Sequence, residues 1–492
     1  MNKKTLYLGG GFRQHQILYM LPILDGYCEK KKILRIIFED KILDKTKNHP
    51  IIKKIMKKYE ILYVQDILSK KSFFDLFSMY TFFYLYIFFN AFFFNKKSLL
   101  SKNSNWYDLQ IKHAIWDFGI KNNIKYFEKI EFFSKIKSSI YSVKSLIIAN
   151  LLVKDFNTSH AIVHHLVYHE RSLLAYLRKN KVEIIFQSFN VLRKLNANVD
   201  LSANYLSKNV YKKSKIYISN KEIIKYWKLY LTGKANYIDA KLSSTIKSKN
   251  KRYFENVVFL HVFRDSSFDC IDKDRIFADY FDWVVATINI IKDSKETWLL
   301  RQHPSAKRWG EDTDVIMNYI KMKYFNGKFP KNLVYKTADT SNINQFKNAN
   351  RVVTYSGHPH LEASCFGKKP IIISRTTLSD YNKELYFKPK NYNEYKKIML
   401  INSNDKRFKL KNKYIIECKR ILFLVHSIVN FGNDVGTKSV FSNVNKKVID
   451  KIYKDIFNKI FTRSEYMKKL GMNIGSKLDQ SINYKYIDKF LN

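Results

Sequence analysis

Short apolar runs recur along the chain, and stretches with helical spacing lie between most of them. The first 38 residues read strand, glycine turn, helix, strand: TLYLGGG, then FRQHQILYMLPILDGYC, then ILRIIFE. Further β-type runs follow at Glu60–Val64, Ala161–His165, Val182–Gln187 and Lys215–Ser219. Strands alternating with helices predict a parallel sheet covered on both faces. The polar, lysine-rich stretch Ser243–Phe254 has the composition of a linker. After it the alternation begins again: NVVFLHVF, the helical DRIFADYFDWVVATINIIKD, TWLLRQ, NLVY, RVVTYS and PIIIS. From about Tyr392 the pattern is mostly helical. The expected fold class is α/β, with two Rossmann-like doubly wound domains facing a cleft. The expected domains are residues 1–242, residues 255–391 and a helical C-terminal extension, 392–492.

One segment departs from this rhythm. LFSMYTFFYLYIFFNAFFF, Leu76–Phe94, carries no charge and sits between Lys70-Lys71 and Lys96-Lys97. As a helix it would extend about 28 Å, near the thickness of a bilayer core. Aromatic side chains flanked by lysines suit a membrane interface better than a bilayer centre. A buried core helix and a true span are the two alternatives. Thr5–Leu8 is too short and too quickly broken by glycines for a secretory leader, so a cytoplasmic chain is the expectation.

Composition sharpens the choice of partners. With 88 Lys+Arg against 43 Asp+Glu, the net charge is +45. Such a balance favours phosphate-bearing partners: nucleic acid, an anionic membrane face or phosphorylated small molecules. The lysines are scattered, however, and the aromatics sit in apolar runs instead of interleaving a basic patch, so no nucleic acid is expected. Cys28, Cys270, Cys365 and Cys418 are far apart, with no C-x-x-C pair, which argues against a disulfide framework or a cysteine zinc site.

Three polar clusters close strands of the second domain, where ligands of doubly wound sheets bind. The first is Arg301-Gln302-His303-Pro304. Proline suits the first turn of a helix, and an arginine, a histidine N–H and helix amides together make a phosphate receptor. The second is Val352–Ser374, VVTYSGHPHLEASCFGKKPIIIS. Here a strand ends at Ser356-Gly357, a helix begins near His358 or Pro359 and carries Glu362, and Gly367 ends it. The third is Phe263-Arg264-Asp265-Ser266, with Arg264 a candidate for phosphate or carboxylate. In each case an ordinary strand breaker or helix cap is the competing explanation.

In the first domain, Gly9-Gly10-Gly11 lacks G-x-G-x-x-G and Walker spacing, so it is expected to be a tight turn that leaves Arg13 and His15 near an acceptor. SHAIVHHLVYHERSLL holds His160, His164, His165, His169 and Glu170 without H-E-x-x-H spacing, and no metal is expected. A histidine and a carboxylate on this domain suit general-base work, with Glu170 and His165 as candidates.

These motifs carry a resemblance. Strand–basic residue–His-Pro (LLRQHP) followed by strand–Ser-Gly–helix with Glu-Ala–Gly-Lys-Lys-Pro (TYSGHPHLEASCFGKKP) resembles GT-B glycosyltransferases of bacterial surface-polysaccharide assembly. The likeness is to capsule and lipopolysaccharide enzymes that use CMP-linked acidic sugars, Kdo or sialic-acid-like. HVFRDSSFD with DYFDWVVATINII resembles the opening of the donor domain in relatives of this kind, so the likeness covers Val257–Ser374. It implies a donor held by the second domain, with His303 on the nucleotide phosphate and Ser356, Gly357 and Glu362 around phosphate and ribose. His358-Pro359 stands where such enzymes carry a small residue, and Lys369 is an extra residue before the proline. The implied partners are a nucleotide-sugar donor and a glycan or lipid-linked acceptor, with no cofactor, at the inner face of the cytoplasmic membrane. A teichoic-acid type polyol-phosphate transferase is the nearest alternative, but it carries Asp-Tyr-Ser-Ser where this chain has Thr354-Tyr355-Ser356-Gly357. A UDP-sugar transferase, a nucleic-acid-binding protein and a non-catalytic export accessory are the others.

Overall fold

The computed structural model describes residues 3–9, 28, 31–40, 56–100, 105–122, 130–163, 168–188, 191–194, 215, 219–232, 253–263, 276–304, 306, 310–336, 342–374 and 382–423. Two sheets organise them. The first has strands β1 (Thr5–Gly9), β2 (Arg35–Phe38), β3 (Glu60–Tyr63), β4 (Thr158–Val163), β5 (Glu183–Ser188) and β6 (Val191–Lys194), in the order β3-β2-β1-β4-β5-β6. All pairs are parallel except β5 with β6. The second has β7 (Asn256–Phe259), β8 (Trp298–Arg301), β9 (Leu333–Lys336), β10 (Arg351–Thr354) and β11 (Ile371–Ile372), all parallel, in the order β11-β10-β7-β8-β9. Both sheets therefore start at a central strand, run outward to one edge, and return to build the other. The reversal falls between β1 and β4 in the first sheet, and between β7 and β10 in the second.

The inner strands are apolar on both faces because helices cover both sides. Leu6, Tyr7, Ile162, Val163, Val257, Val258, Leu299 and Leu300 are all buried. The helices are α1 (Val64–Ser69), α2 (Phe73–Ile87), α3 (Trp106–Asn122), α4 (Phe132–Lys154), α5 (Glu170–Lys179), α6 (Asn220–Leu231), α7 (Tyr280–Lys292), α8 (Thr313–Tyr324), α9 (Asn342–Asn348), α10 (Pro359–Cys365) and α11 (Tyr392–Met399). Residues 412–423 are also helical. Side-chain caps set several starts: Ser72 for α2, Asp279 for α7, Asp312 for α8, and a Ser219–Glu222 capping box for α6.

The expectation of two doubly wound α/β domains agrees with this architecture, and four local expectations change. The antiparallel edge strand β6 was not anticipated. Lys215 is helical where a strand was expected, and Ser219 caps α6, while 216–218 lie outside the described residues. The helix of the second domain begins at Tyr280 rather than near Asp274, because Asp279 is its cap. No helix starts at Pro304. The Ala306 N–H bonds the His303 carbonyl in a turn, and α8 waits for its Asp312 cap. Of the C-terminal extension, residues 424–492 lie outside the described residues.

The aromatic segment forms α2 and a π-helical turn, Phe88–Phe92. One face is core, with Phe83, Ile87, Ala91 and Phe92 buried. The helix α4 is the one described helix long and apolar enough to cross a membrane, and it is mostly buried, against α2, α3 and α5.

The two sheets share one apolar core: Tyr7 and Ile37 belong to the same cluster as Trp283, Val353 and Tyr355. Lys96, just after the π turn, pairs with Asp279 at 2.8 Å and Asp282 at 2.5 Å at the start of α7. Burial raises the Asp279 carboxyl to about 6, with Lys96 opposing the rise. The helix α6, placed in the first domain by its position in the chain, packs Ile223, Trp227 and Tyr230 against Leu361 and Cys365 of α10.

Candidate functional site

The second sheet aligns its strand ends. Phe259 of β7 pairs with Arg301 of β8 and with Thr354 of β10. Two residues further on, the same register brings His261, His303 and Ser356 into one row. Pairing continues past the strands, from Leu260 N–H to the Arg301 carbonyl at 2.8 Å and from Ser374 N–H to the Tyr355 carbonyl at 2.9 Å.

The side chains converge there. The His261 and His303 ring centroids are 5.7 Å apart. Gly357 has φ +91°, and a Cβ on it would lie 3.8 Å from His261 Cδ2. A glycine is thus required by backbone conformation, and its bare Cα faces the histidine. His358, at the start of α10, is near enough to disfavour charge on both His303 and His360.

Burial, with His261 and His358 adding to it, pushes the His303 imidazole down to about 3. His360, fully buried on α10, is pushed down to about 3 by burial and His358, against a Gly357 backbone hydrogen bond. At neutral pH both rings are uncharged, each with one N–H to donate and one lone pair. His261 Nδ1 lies 3.1 Å from the Val262 carbonyl, which only accepts, so Nδ1 is a donor.

The loop carrying His261 is braced from below. Its backbone N–H donates to the Tyr280 hydroxyl at 2.6 Å. The Tyr280 ring packs on Tyr355 and Phe263, at 5.4 and 4.7 Å between centroids. Tyr280 follows Asp279, so the residue holding the histidine loop is next to the Lys96 ion pair with the first domain.

The other expected residues have distinct settings. Arg301 is buried, with its guanidinium over the Phe259 ring at 5.7 Å. Glu362 is buried in the first turn of α10, and the Tyr230 hydroxyl of α6 donates to it in a short hydrogen bond. Ser356 is buried, and its carbonyl accepts from the Thr354 hydroxyl at 2.7 Å. Pro304 is exposed in its turn. Arg264 lies outside the described residues.

The first sheet gathers carboxylates at its strand ends. Glu39 follows β2, and its N–H bonds the Leu8 carbonyl at 2.9 Å. The buried Tyr7 hydroxyl is held well above its ordinary pKa, by burial first and then by Glu39, Glu170 and Asp40. Those three carboxylates are therefore near enough to act on one phenol. Gly9, the last residue of β1, lies under the Tyr7 ring, where a Cβ would overlap the hydroxyl. Glu170 opens α5, 3.7 Å from His169 Nδ1, and the next residue, Arg171, pairs with Asp117 of α3 at 3.6 Å in the core. His169 itself packs between Phe118 and Tyr141. His160 is buried and bonds Ser159 Oγ at 2.7 Å. His165, Arg13 and His15 lie outside the described residues. Among the described residues no group of three or more His, Cys, Asp or Glu is arranged to hold a metal ion. The described cysteines Cys28, Cys365 and Cys418 are buried free thiols.

Sequence reasoning missed His261, His360, Tyr280 and Glu39. His261 had one available signal: it stands two residues beyond its strand, as His303 does beyond the next.

No protein-family model matches the chain, and no curated protein matches it in sequence. Solved structures give distant likenesses only. KpsC of Thermosulfurimonas dismutans, a beta Kdo 2,4 transferase, is 10% identical with a TM-score of 0.30, over 54% of this chain and 79% of that one. The UDP-GlcNAc 2-epimerase of Methanocaldococcus jannaschii is 14% identical with a TM-score of 0.29, over 86% and 99%. A glycosyltransferase from Rickettsia africae is 11% identical with a TM-score of 0.26, over the full length of both chains. None of the three superposes closely on this chain.

Proposed function

We propose that this protein is a sugar transferase of the GT-B type, moving a sugar from a nucleotide-activated donor to an acceptor hydroxyl. The observation that carries this is the convergence of His261, His303 and the bare Cα of Gly357 at the reversal point of a doubly wound sheet. There the neutral His303 ring donates its N–H to a phosphate oxygen, His261 packs beside it, and the glycine lets the ligand approach the backbone. As the bond from the sugar's anomeric carbon to the donor phosphate breaks, the phosphate leaves with the electron pair. The N–H of His303 then stabilises that growing charge. The acceptor hydroxyl attacks the anomeric carbon and gives its proton to a base on the first domain, for which Glu170 is the choice. The sequence motifs favour a CMP-linked acidic sugar as donor, and a glycan or glycolipid as acceptor.

The test is titration of the intact protein with CMP, CDP, UDP and GDP, followed by calorimetry and thermal melts. CMP is expected to bind and stabilise most. His303→Ala and His261→Ala are each expected to weaken that binding at least tenfold while the unliganded melt holds. Preference for UDP would reassign the donor, and binding of no nucleotide would sink the transferase reading.

A further inference from the structure

A second site lies on the outer face of the first domain and does not depend on the transferase reading. A groove of about 430 Å³ runs between α2, α4 and α5. Phe82, Phe83, Tyr86, Tyr107, Lys154 and Lys179 are among the residues that line it. The Tyr176 hydroxyl bonds Asn150 Oδ1 at 2.8 Å within it. Both lysines are exposed, and Lys179 Nζ lies 4.6 Å from the Tyr107 ring centroid. Among the described residues no ion pair engages either ammonium.

The groove borders a large apolar surface. On α2 and its π turn, Phe74, Phe77, Leu85 and Phe89 are exposed at helical spacing, with Phe74 80% and Phe89 75% accessible. Phe82 belongs both to this stripe and to the groove. The start of α4 extends the surface: Phe133 is 78% accessible, and Phe132 meets Phe92 edge to face at 5.9 Å. Lys135 fixes this junction by donating to the Phe94 carbonyl at 3.1 Å. So many phenylalanines standing in water on one face mark a contact surface, not a scatter of exposed residues.

Charge says what covers it. Residues 130–155 carry Lys135, Lys137, Lys144 and Lys154 against Glu131 and Asp155, and Asp155 is already paired with Lys71 at 2.6 Å. A second copy of the chain would bring the same positive charge and repel. An anionic bilayer would attract the lysines and accept the rings. We propose that this face docks on an anionic phospholipid membrane, with one lipid phosphate held in the groove by Lys154 and Lys179. Its acyl chain would run along Phe82 and Met79.

Co-sedimentation of the full chain with phosphatidylcholine vesicles, with and without phosphatidylglycerol, tests this. Binding is expected with phosphatidylglycerol and at least tenfold less without it. Phe89→Ser/Phe133→Ser and Lys154→Glu/Lys179→Glu are each expected to cut the bound fraction at least tenfold. All four positions are exposed, so the thermal melt should stay unchanged. Equal binding to both vesicles, or wild-type binding by either variant, overturns the proposal. So does a lipid-free dimer that dissociates on Phe89→Ser/Phe133→Ser, which would assign the surface to a second copy.

Discussion

The two sheets share the order of five parallel strands, the first adding the antiparallel edge strand β6, and differ in the chemistry at their strand ends. The first brings Glu39, Asp40 and Glu170 within electrostatic reach of Tyr7. The second sets His261, His303 and His358 around Gly357. One topology thus yields a carboxylate-bearing rim and an imidazole-bearing rim, because strand ends present whichever residues follow the strand without altering the sheet. The proposed transfer would use the first as a base for the acceptor and the second as a hydrogen-bond donor to the sugar donor's phosphate. The difference between the sheets is more informative than their likeness.

The largest expected effect breaks the first rim. Glu170→Gln keeps the shape of the side chain and removes its basicity. Transfer should fall at least about a hundredfold, the usual scale for losing a general base. Nucleotide affinity should stay within about twofold. Glu39→Gln is the paired control, since both carboxylates act on Tyr7. A fall for Glu39→Gln alone would move the base from α5 to the end of β2. Loss of nucleotide binding in Glu170→Gln would end the division of labour between the sheets.

A smaller effect sharpens the second rim. His303 and His360 are pushed down to about 3, from an ordinary value near 6.5. Between those limits the unfolded chain takes up protons that the folded chain refuses. Acidification through this window therefore destabilises the fold, and above about pH 6.5 neither group contributes. The fully buried His360 sets a slope of up to about 1.4 kcal/mol per pH unit, and the half-buried His303 gives less. Denaturant titrations from pH 7 to pH 4.5 should show the loss. His360→Phe should flatten it, and an unchanged acid limb in that variant would mean that His360 does protonate in the fold.

What the sequence disclosed follows from how local each signal is. Parallel strands buried on both faces are continuous apolar runs, so β7, β8 and β10 stand out in VVFL, WLLR and RVVT. Four residues of β6, VLRK, carry too little pattern, and pairing with β5 decides them. His303 was legible because a proline follows it. His261 has no such neighbour, and its importance appears only when the register sets it beside His303. The helix expected at Pro304 failed for a related reason: a proline permits a first turn, but the Asp312 cap starts α8. Phe132 and Phe133 likewise join the aromatic surface only through the packing of α4 on the π turn.

The smallest effect concerns the clasp between α6 and α10 beside the second rim. Tyr230 of α6 donates to the buried Glu362 of α10, the helix that opens with His358. Tyr230→Phe preserves the ring packing, including the stack on Trp227 at 5.1 Å, and removes only the hydroxyl. Glu362 then loses a buried donor, which costs about 1–3 kcal/mol. For a chain of this size that corresponds to a melting shift of a few degrees. If Glu362 serves only as this clasp, nucleotide affinity should follow stability and change little. A tenfold loss of affinity with an unaltered melt would instead place Glu362 against the ligand, and the second rim would then contain a carboxylate as well as imidazoles.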